Sequence, residues 1–261
     1  MSPKKSLGQH WLHDDASLQA MVKAGEVTPT DTVIEVGPGL GTLTKKLVQA
    51  ASEVIAIELD DLLAVNLKGR VGAKNLLVAH ANVLEYDFSA VKPGYKVVAN
   101  IPYYLTSNLI RNLLESPNPP STMALLVQKE VAERIVATPG QMSILAVSVQ
   151  FYADAELREV VPAELFTPRP KVDSQIIQIK RHAKPLFPDV DIEQFFKIVK
   201  AGFSEKRKKL RSSLSGSLDI SKDQADEWLK RAGIRPDARA QELSIKDWYK
   251  LSQTTHHQTI R

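Results

Sequence analysis

The sequence predicts a doubly wound parallel α/β sheet followed by a small all-helical C-terminal domain. Three observations carry that class. Short β-branched apolar runs alternate with helix-spaced segments between residues 32 and 128. The first run ends on Gly37, Gly39 and Gly41, which allow a tight strand-to-helix turn. Beyond residue 190 the strand pattern stops and only helical spacing is left.

In chain order, residues 32–36 (TVIEV) read as a buried strand, and residues 40–51 follow with Leu43, Leu47 and Val48 at helical spacing. Residues 53–58 (EVIAIE) make the second strand, and Asp60 opens a helix with Leu62, Leu63 and Leu67 inward. Residues 75–79 and 96–100 are strands three and four, 105–114 a helix, and 123–128 strand five. Helical stretches at 129–137 and 142–151 precede two more strands, 156–160 and 174–180, separated by a proline-rich loop from Phe166 to Val172. Residues 183–190 (AKPLFPDV) carry two prolines and read as a linker. They divide the chain into domains at 1–182 and 183–261, the second with helices at 192–201, 206–214, 222–232 and 245–251. The polar end, 254–261, is expected to fray.

A chain of 261 residues, 43% hydrophobic and 25% charged, has the composition of a soluble globular protein with room for one large and one smaller domain. No apolar run reaches the ~18 residues a membrane span needs. The basic start has no apolar stretch behind it, so a secretory signal is not expected. The absence of cysteine excludes disulfides, thiolate catalysis and cysteine-held metals. The six histidines show no metal-ligand spacing, His256 and His257 included, so no metal is expected and the expected location is the cytoplasm. The net charge of +4 lies wholly in residues 186–261, with 15 Lys and Arg against 11 Asp and Glu. Within them, residues 197–211 hold seven bases and one acid, Glu205, which suggests contact with phosphate.

The loop Glu35-Val36-Gly37-Pro38-Gly39-Leu40-Gly41 departs from the Gly-x-Gly-x-x-Gly dinucleotide fingerprint. Glu58, 17 residues past Gly41 at the end of the next strand, is placed to receive the two hydroxyls of a ribose. NAD, FAD and S-adenosylmethionine all carry such a ribose. Two features favour S-adenosylmethionine. Glu35 suits a cationic ligand and would repel a pyrophosphate. Asn100-Ile101-Pro102-Tyr103 has no place in hydride transfer but suits methyl transfer to an amino nitrogen on a ring, with an amide oxygen and a carbonyl as acceptors beside an aromatic face. Such transfer needs positioning and electrostatics, not a metal or a general base.

Six motifs occur in the order seen in the ribosomal RNA adenine dimethyltransferases: Gly8-Gln9-His10-Trp11-Leu12, the loop at 35–41, Glu58, Asn100-Ile101-Pro102-Tyr103, Leu126-Val127-Gln128-Lys129-Glu130, and Phe166-x-Pro168-x-Pro170-x-Val172-x-Ser174. The chain resembles that family over nearly its whole length, and its segment from Phe203 to Leu214 (FSEKRKKLRSSL) is similar to that of the bacterial small-subunit branch. The resemblance implies a Rossmann-like fold and S-adenosylmethionine-dependent dimethylation at N6 of two adjacent adenosines near the 3′ end of small-subunit rRNA, during ribosome biogenesis. It also implies site roles. His10 and Leu12 lie over the cofactor, Gly37 and Gly39 contact it through backbone, Glu58 holds its ribose, and Asn100 meets both cofactor and target amine. Asn82 stands where the family has an Asp that accepts from the cofactor's adenine. A neutral acceptor is worth roughly half a charged one, so Asn82→Asp is expected to tighten cofactor binding.

The target base must leave its stack to enter the pocket. Tyr103 and Phe166 are the expected stacking faces, Tyr104 a packing residue. RNA contact is expected from Lys206, Arg207, Lys208, Lys209 and Arg211 on a helix where Arg207 and Arg211 share a face, with Arg169 and Lys171 secondary. The expected partner is immature small ribosomal subunit, met by a monomer. Competing readings are a large-subunit rRNA methylase of the macrolide-resistance type, a non-catalytic assembly factor keeping the fold, and a nicotinamide dehydrogenase.

Overall fold

The structure, a computed structural model, describes residues 8–254. The expectations for His256, His257 and the fraying end beyond residue 254 lie outside the described residues.

The chain forms two compact units, one of residues up to 133 with 153–181, the other of 134–152 with the residues from 182 onward. The first holds β1 (Trp11–Leu12), α1 (Asp15–Ala24), β2 (Thr32–Val36), α2 (Thr42–Ala50), β3 (Glu53–Glu58), α3 (Asp61–Val71) and β4 (Leu76–His80). After these come β5 (Lys96–Asn100), α4 (Thr106–Glu115), β6 (Thr122–Gln128) and α5 (Lys129–Ile135), which runs across the unit boundary. Later in the chain, β7 (Ala153–Val161), β8 (Phe166–Thr167) and β9 (Ser174–Arg181) complete the unit. Seven strands make one sheet in the order β4-β3-β2-β5-β6-β9-β7, the first five mutually parallel and β9 antiparallel to both its neighbours. β1 pairs separately with β8, Leu12 opposite Phe166.

β2 is buried along its whole length, as a central parallel strand covered on both faces must be. Asp60 starts α3 because its carboxylate accepts from the Leu63 N–H (3.2 Å), a donor the first turn leaves unpaired. Leu63 and Leu67, four apart, form the inward face of α3; Leu62, expected beside them, is 58% exposed. The expected elements do not include α1, although Asp14 caps it through the Ser17 N–H and Leu18, Met21 and Val22 repeat at helical spacing.

The second unit contains α6 (Ile144–Tyr152), α7 (Ile192–Gly202), α8 (Leu210–Leu218), α9 (Lys222–Arg231) and α10 (Ile245–Gln253). Its core joins Phe151, Phe195, Phe196, Phe203, Trp228 and Trp248. Residues 134–152, placed by sequence with the first domain, belong here: α6 is almost wholly apolar, and Ala146, Val147 and Phe151 pack into this aromatic core. A second correction concerns the helix expected at 206–214. Residues 204–208 are turn, held by Ser204 Oγ on the Ala201 carbonyl (2.8 Å) and Lys208 N–H on that of Glu205 (3.0 Å). The helix starts at Leu210, whose burial fixes the register.

Candidate active site

The winding of the sheet reverses between β2 and β5, and ligands in such sheets bind at the carboxyl ends flanking that point. Those ends are Val36, which leads into the glycine loop, and Asn100. A cavity of about 320 Å³ opens there, lined by residues 8–12, 35–40, 57–59, 81–84 and 100–105 with Leu18, Thr42 and Leu43.

Gly37 and Gly39 have φ of +65° and +56°, conformations that L side chains rarely adopt. A Cβ on Gly37 would stand in open space, so a ligand can lie against its backbone; one on Gly39 would crowd the Trp11 indole at 3.2 Å. Glu58 accepts from the Gly39 N–H (3.1 Å) and the Asp60 N–H (2.9 Å), which fixes its carboxylate at the end of β3. Burial raises its pKa above the ordinary carboxyl value, and these donors partly counter that.

Glu35 is 1% exposed, and burial pushes its carboxyl from 4.5 up to about 8, with the nearby Glu58 adding to the rise. Its neutral form is thereby favoured in the free protein, which weakens the repulsion of a pyrophosphate argued from sequence. A cation brought beside it would favour its ionised form. Its Oε2, like the Trp11 indole Nε1 in the same lining, is buried without a hydrogen-bond partner.

Asn100 donates through Nδ2 to the His10 carbonyl (2.9 Å), which leaves Oδ1 as its acceptor for an incoming donor. Ile101 N–H bonds the Leu126 carbonyl at the end of β6 (3.3 Å), and a single 3-10 turn at Tyr103–Leu105 follows Pro102. His10 Nδ1 meets the Pro168 carbonyl at 2.7 Å, so that nitrogen carries the proton, and the ring stacks on Tyr103 at 5.7 Å. The Tyr103 hydroxyl bonds Ser174 Oγ (2.8 Å). Leu12 lines the cavity, and its carbonyl accepts from Thr42 Oγ1 (3.0 Å). Asn82 also lines it, with Oδ1 accepting from the Leu84 N–H (3.1 Å) and Nδ2 donating to Glu85 (2.9 Å).

The structure thus brings His10, Leu12, Gly37, Gly39, Glu58, Asn82 and Asn100–Tyr103 to one cavity. It does not bring Phe166 there. Phe166 is 4% exposed in the core beside Leu12, because β8 pairs with β1, so the stacking role expected for it is corrected. Tyr104, expected to be a packing residue, is 62% exposed at the cavity and lies over Gly8. The second unit carries the expected RNA contacts, but not as one helix face. Lys206, Arg207, Lys208 and Lys209 are exposed in the turn before α8; Lys208 pairs with Glu205 (2.5 Å), and Arg211 on α8 pairs with Asp226 (3.1 Å). Among the described residues no group of three or more His, Asp or Glu could hold a metal ion, and no helix is long and apolar enough to cross a membrane.

The donor set fits S-adenosylmethionine. Glu58 suits a ribose diol, the Gly37 backbone gives close approach, and the unpartnered Glu35 oxygen and Trp11 N–H offer polar partners to an amino-acid moiety. Such a loop and acid, facing an Asn-Ile-Pro-Tyr turn across the switch point, define a Rossmann-like S-adenosylmethionine-dependent methyltransferase. The family model described as ribosomal RNA adenine dimethylase matches residues 1–257. The chain is 42% identical to ribosomal RNA small subunit methyltransferase A of Dehalococcoides mccartyi over 252 residues, 95% of this chain and 87% of that protein. Among solved structures it is similar to a dimethyladenosine transferase from Plasmodium falciparum (TM-score 0.82, 25% identity, 94% of this chain and 97% of that one). It is also similar to the 23S rRNA methyltransferase ErmE (TM-score 0.76, 28% identity, 94% and 98%). The chain belongs to the ribosomal RNA adenine dimethylase family.

Proposed function

We propose that this chain transfers methyl groups from S-adenosylmethionine to N6 of two adjacent adenosines near the 3′ end of small-subunit rRNA, on immature small ribosomal subunits, as a cytoplasmic monomer. One observation carries the chemistry: at the switch point the Asn100 amide is tied by its nitrogen to the His10 carbonyl, with its oxygen left to accept.

When bound, S-adenosylmethionine supplies a methyl carbon already activated on a sulfonium. The difficulty lies with the acceptor, whose N6 lone pair is delocalised into the adenine ring. Asn100 Oδ1 and the Ile101 carbonyl accept from the amine hydrogens and favour a pyramidal nitrogen whose lone pair is free of the ring. Because the His10 contact presets Asn100, little reorganisation is needed at reaction. No residue need act as a strong base, since the product cation loses its proton to water. Tyr103 offers a stacking face worth about 1–3 kcal/mol. Asn82 after β4, Glu58 on β3 and the glycine loop after β2 would hold the adenine, ribose and methionine parts of the donor in turn, and Asn100 at the end of β5 would meet the target base. The exposed bases of the second unit contact RNA phosphates.

The likeness to a 23S rRNA methyltransferase supplies the rival substrate. Incubation with labelled methyl donor and either immature small subunits or naked large-subunit RNA separates the two. Label in N6-dimethyladenosine of the small subunit alone is the expected result. Label only in large-subunit RNA would overturn the substrate assignment, and cofactor binding without transfer to either would overturn the catalytic one.

A further inference from the structure

We propose that Glu85 is a positioning residue for the adenine ring of the methyl donor: it holds the Asn82 amide with its oxygen available to the base and lends that amide negative charge. This rests on the reading above, in which the donor's adenine lies against Asn82.

The sheet places Asn82 suitably. Glu58 pairs with His80 across β3 and β4, and the Ala81 N–H bonds the Glu58 carbonyl (3.0 Å). Residue 82 therefore begins the turn one strand outward from the ribose-facing carboxylate, away from Asn100. A base attached to that ribose meets residues 81–84, which line the same cavity.

Both ends of the Asn82 side chain are engaged. The Leu84 N–H can only donate, so it identifies Oδ1; the Glu85 carboxylate accepts, so it identifies Nδ2. Two contacts select one orientation. The oxygen keeps a second lone pair for an amino group. The Nδ2 contact to a carboxylate is charge-assisted and polarises the amide, raising the negative charge on Oδ1. A purine bearing an amino group at C6 is favoured, and one bearing a carbonyl there meets acceptor against acceptor.

The same geometry alters the expected effect of a carboxylate at position 82. In this chain it would stand within hydrogen-bond range of Glu85, and two like charges at that distance oppose each other. Negative charge at 82 and at 85 are thus alternatives, and Asn82→Asp is not expected to tighten binding unless Glu85 is neutralised.

Calorimetric titration of the purified protein with S-adenosylhomocysteine and its inosine counterpart tests this without any turnover. Asn82→Asp and Glu85→Gln both keep an oxygen in place, so the turn is preserved and melting curves check the fold. Glu85→Gln should weaken S-adenosylhomocysteine binding roughly three- to fivefold, the range of an exposed charged contact, and narrow the preference for adenine over hypoxanthine. Asn82→Asp alone should bring no gain, whereas in the Glu85→Gln background it should tighten binding at least about threefold. Equal tightening by Asn82→Asp in both backgrounds overturns the proposal, as does a Glu85→Gln variant that binds and discriminates like the parent. Asn82→Ala separates the underlying reading: if it too leaves affinity unchanged, the adenine does not lie there. If it weakens affinity while Glu85→Gln does not, only the role of Glu85 is lost.

Discussion

At position 100 the amide nitrogen is engaged by the His10 carbonyl, so the side chain has one acceptor left and one direction in which to present it. Asn100→Ala removes that acceptor and should lower single-turnover methyl transfer on the order of 100-fold, by analogy with loss of one oxyanion-hole donor. Asn100→Asp keeps an acceptor but sets a carboxylate oxygen against the His10 carbonyl, so it should not restore the rate. A rate within a few-fold of the parent in the alanine variant would dismiss the assignment. Glu35 yields a pH prediction of definite sign. Its folded pKa of about 8 lies above its ordinary 4.5, so between those values the folded protein keeps a proton that the unfolded chain has lost. The stability this gives is fully present below 4.5 and is lost as pH rises through 8. Glu35→Gln stays neutral throughout, so its melting temperature relative to the parent should be higher at pH 9 than at pH 6. At about 1.4 kcal/mol for each tenfold difference in proton affinity, the change amounts to a few kcal/mol. A constant difference across that range would refute it.

Among the elements, the central strands were the most legible in the sequence. TVIEV, EVIAIE and KVVAN are apolar runs that only a strand buried on both faces can use, and β2, β3 and β5 occupy them. The glycine loop and Asn100 could be read as site residues because each interrupts such a run at its carboxyl end. Less was visible where pairing depends on distant residues. β1 and β8 have two residues each, too few to show alternation, yet their pairing buries Phe166. The start of α8 was hidden because a run of bases has no apolar period; it is set by the buried Leu210. Gly202, at the end of α7, gives an element-scale test. A Cβ there would collide with the Trp248 ring and stand 2.9 Å from Leu210. Gly202→Ala should therefore destabilise by about 1–3 kcal/mol despite its better helix propensity, as read by denaturant melts. A stabilised variant would contradict the packing described. The basic turn between α7 and α8 gives another. Replacing Lys206, Arg207 and Lys209 together by alanine should reduce the slope of log affinity for RNA against log salt by roughly 0.7–0.9 for each phosphate no longer neutralised. Arg211→Ala, which breaks a pair with Asp226, should leave that slope in place.

At the scale of the whole molecule, charge and connectivity separate the two units. The sheet unit holds 17 Lys and Arg against 19 Asp and Glu, a net −2, and the helical unit 17 against 11, a net +6, so the attraction for phosphate belongs to the helical unit. The chain leaves the sheet unit after residue 133, lays down α6, and returns at 153 to complete β7, β8 and β9 before leaving again. During synthesis the sheet unit has all its strands once Arg181 has emerged, while α6 waits for helices still unmade, with Ala146, Val147 and Phe151 uncovered. A stop codon placed after residue 182 would make that wait permanent. Such a fragment should come out of cells in inclusion bodies or bound to chaperones, and recovering it as a well-behaved monomer would show that α6 finds its shelter elsewhere.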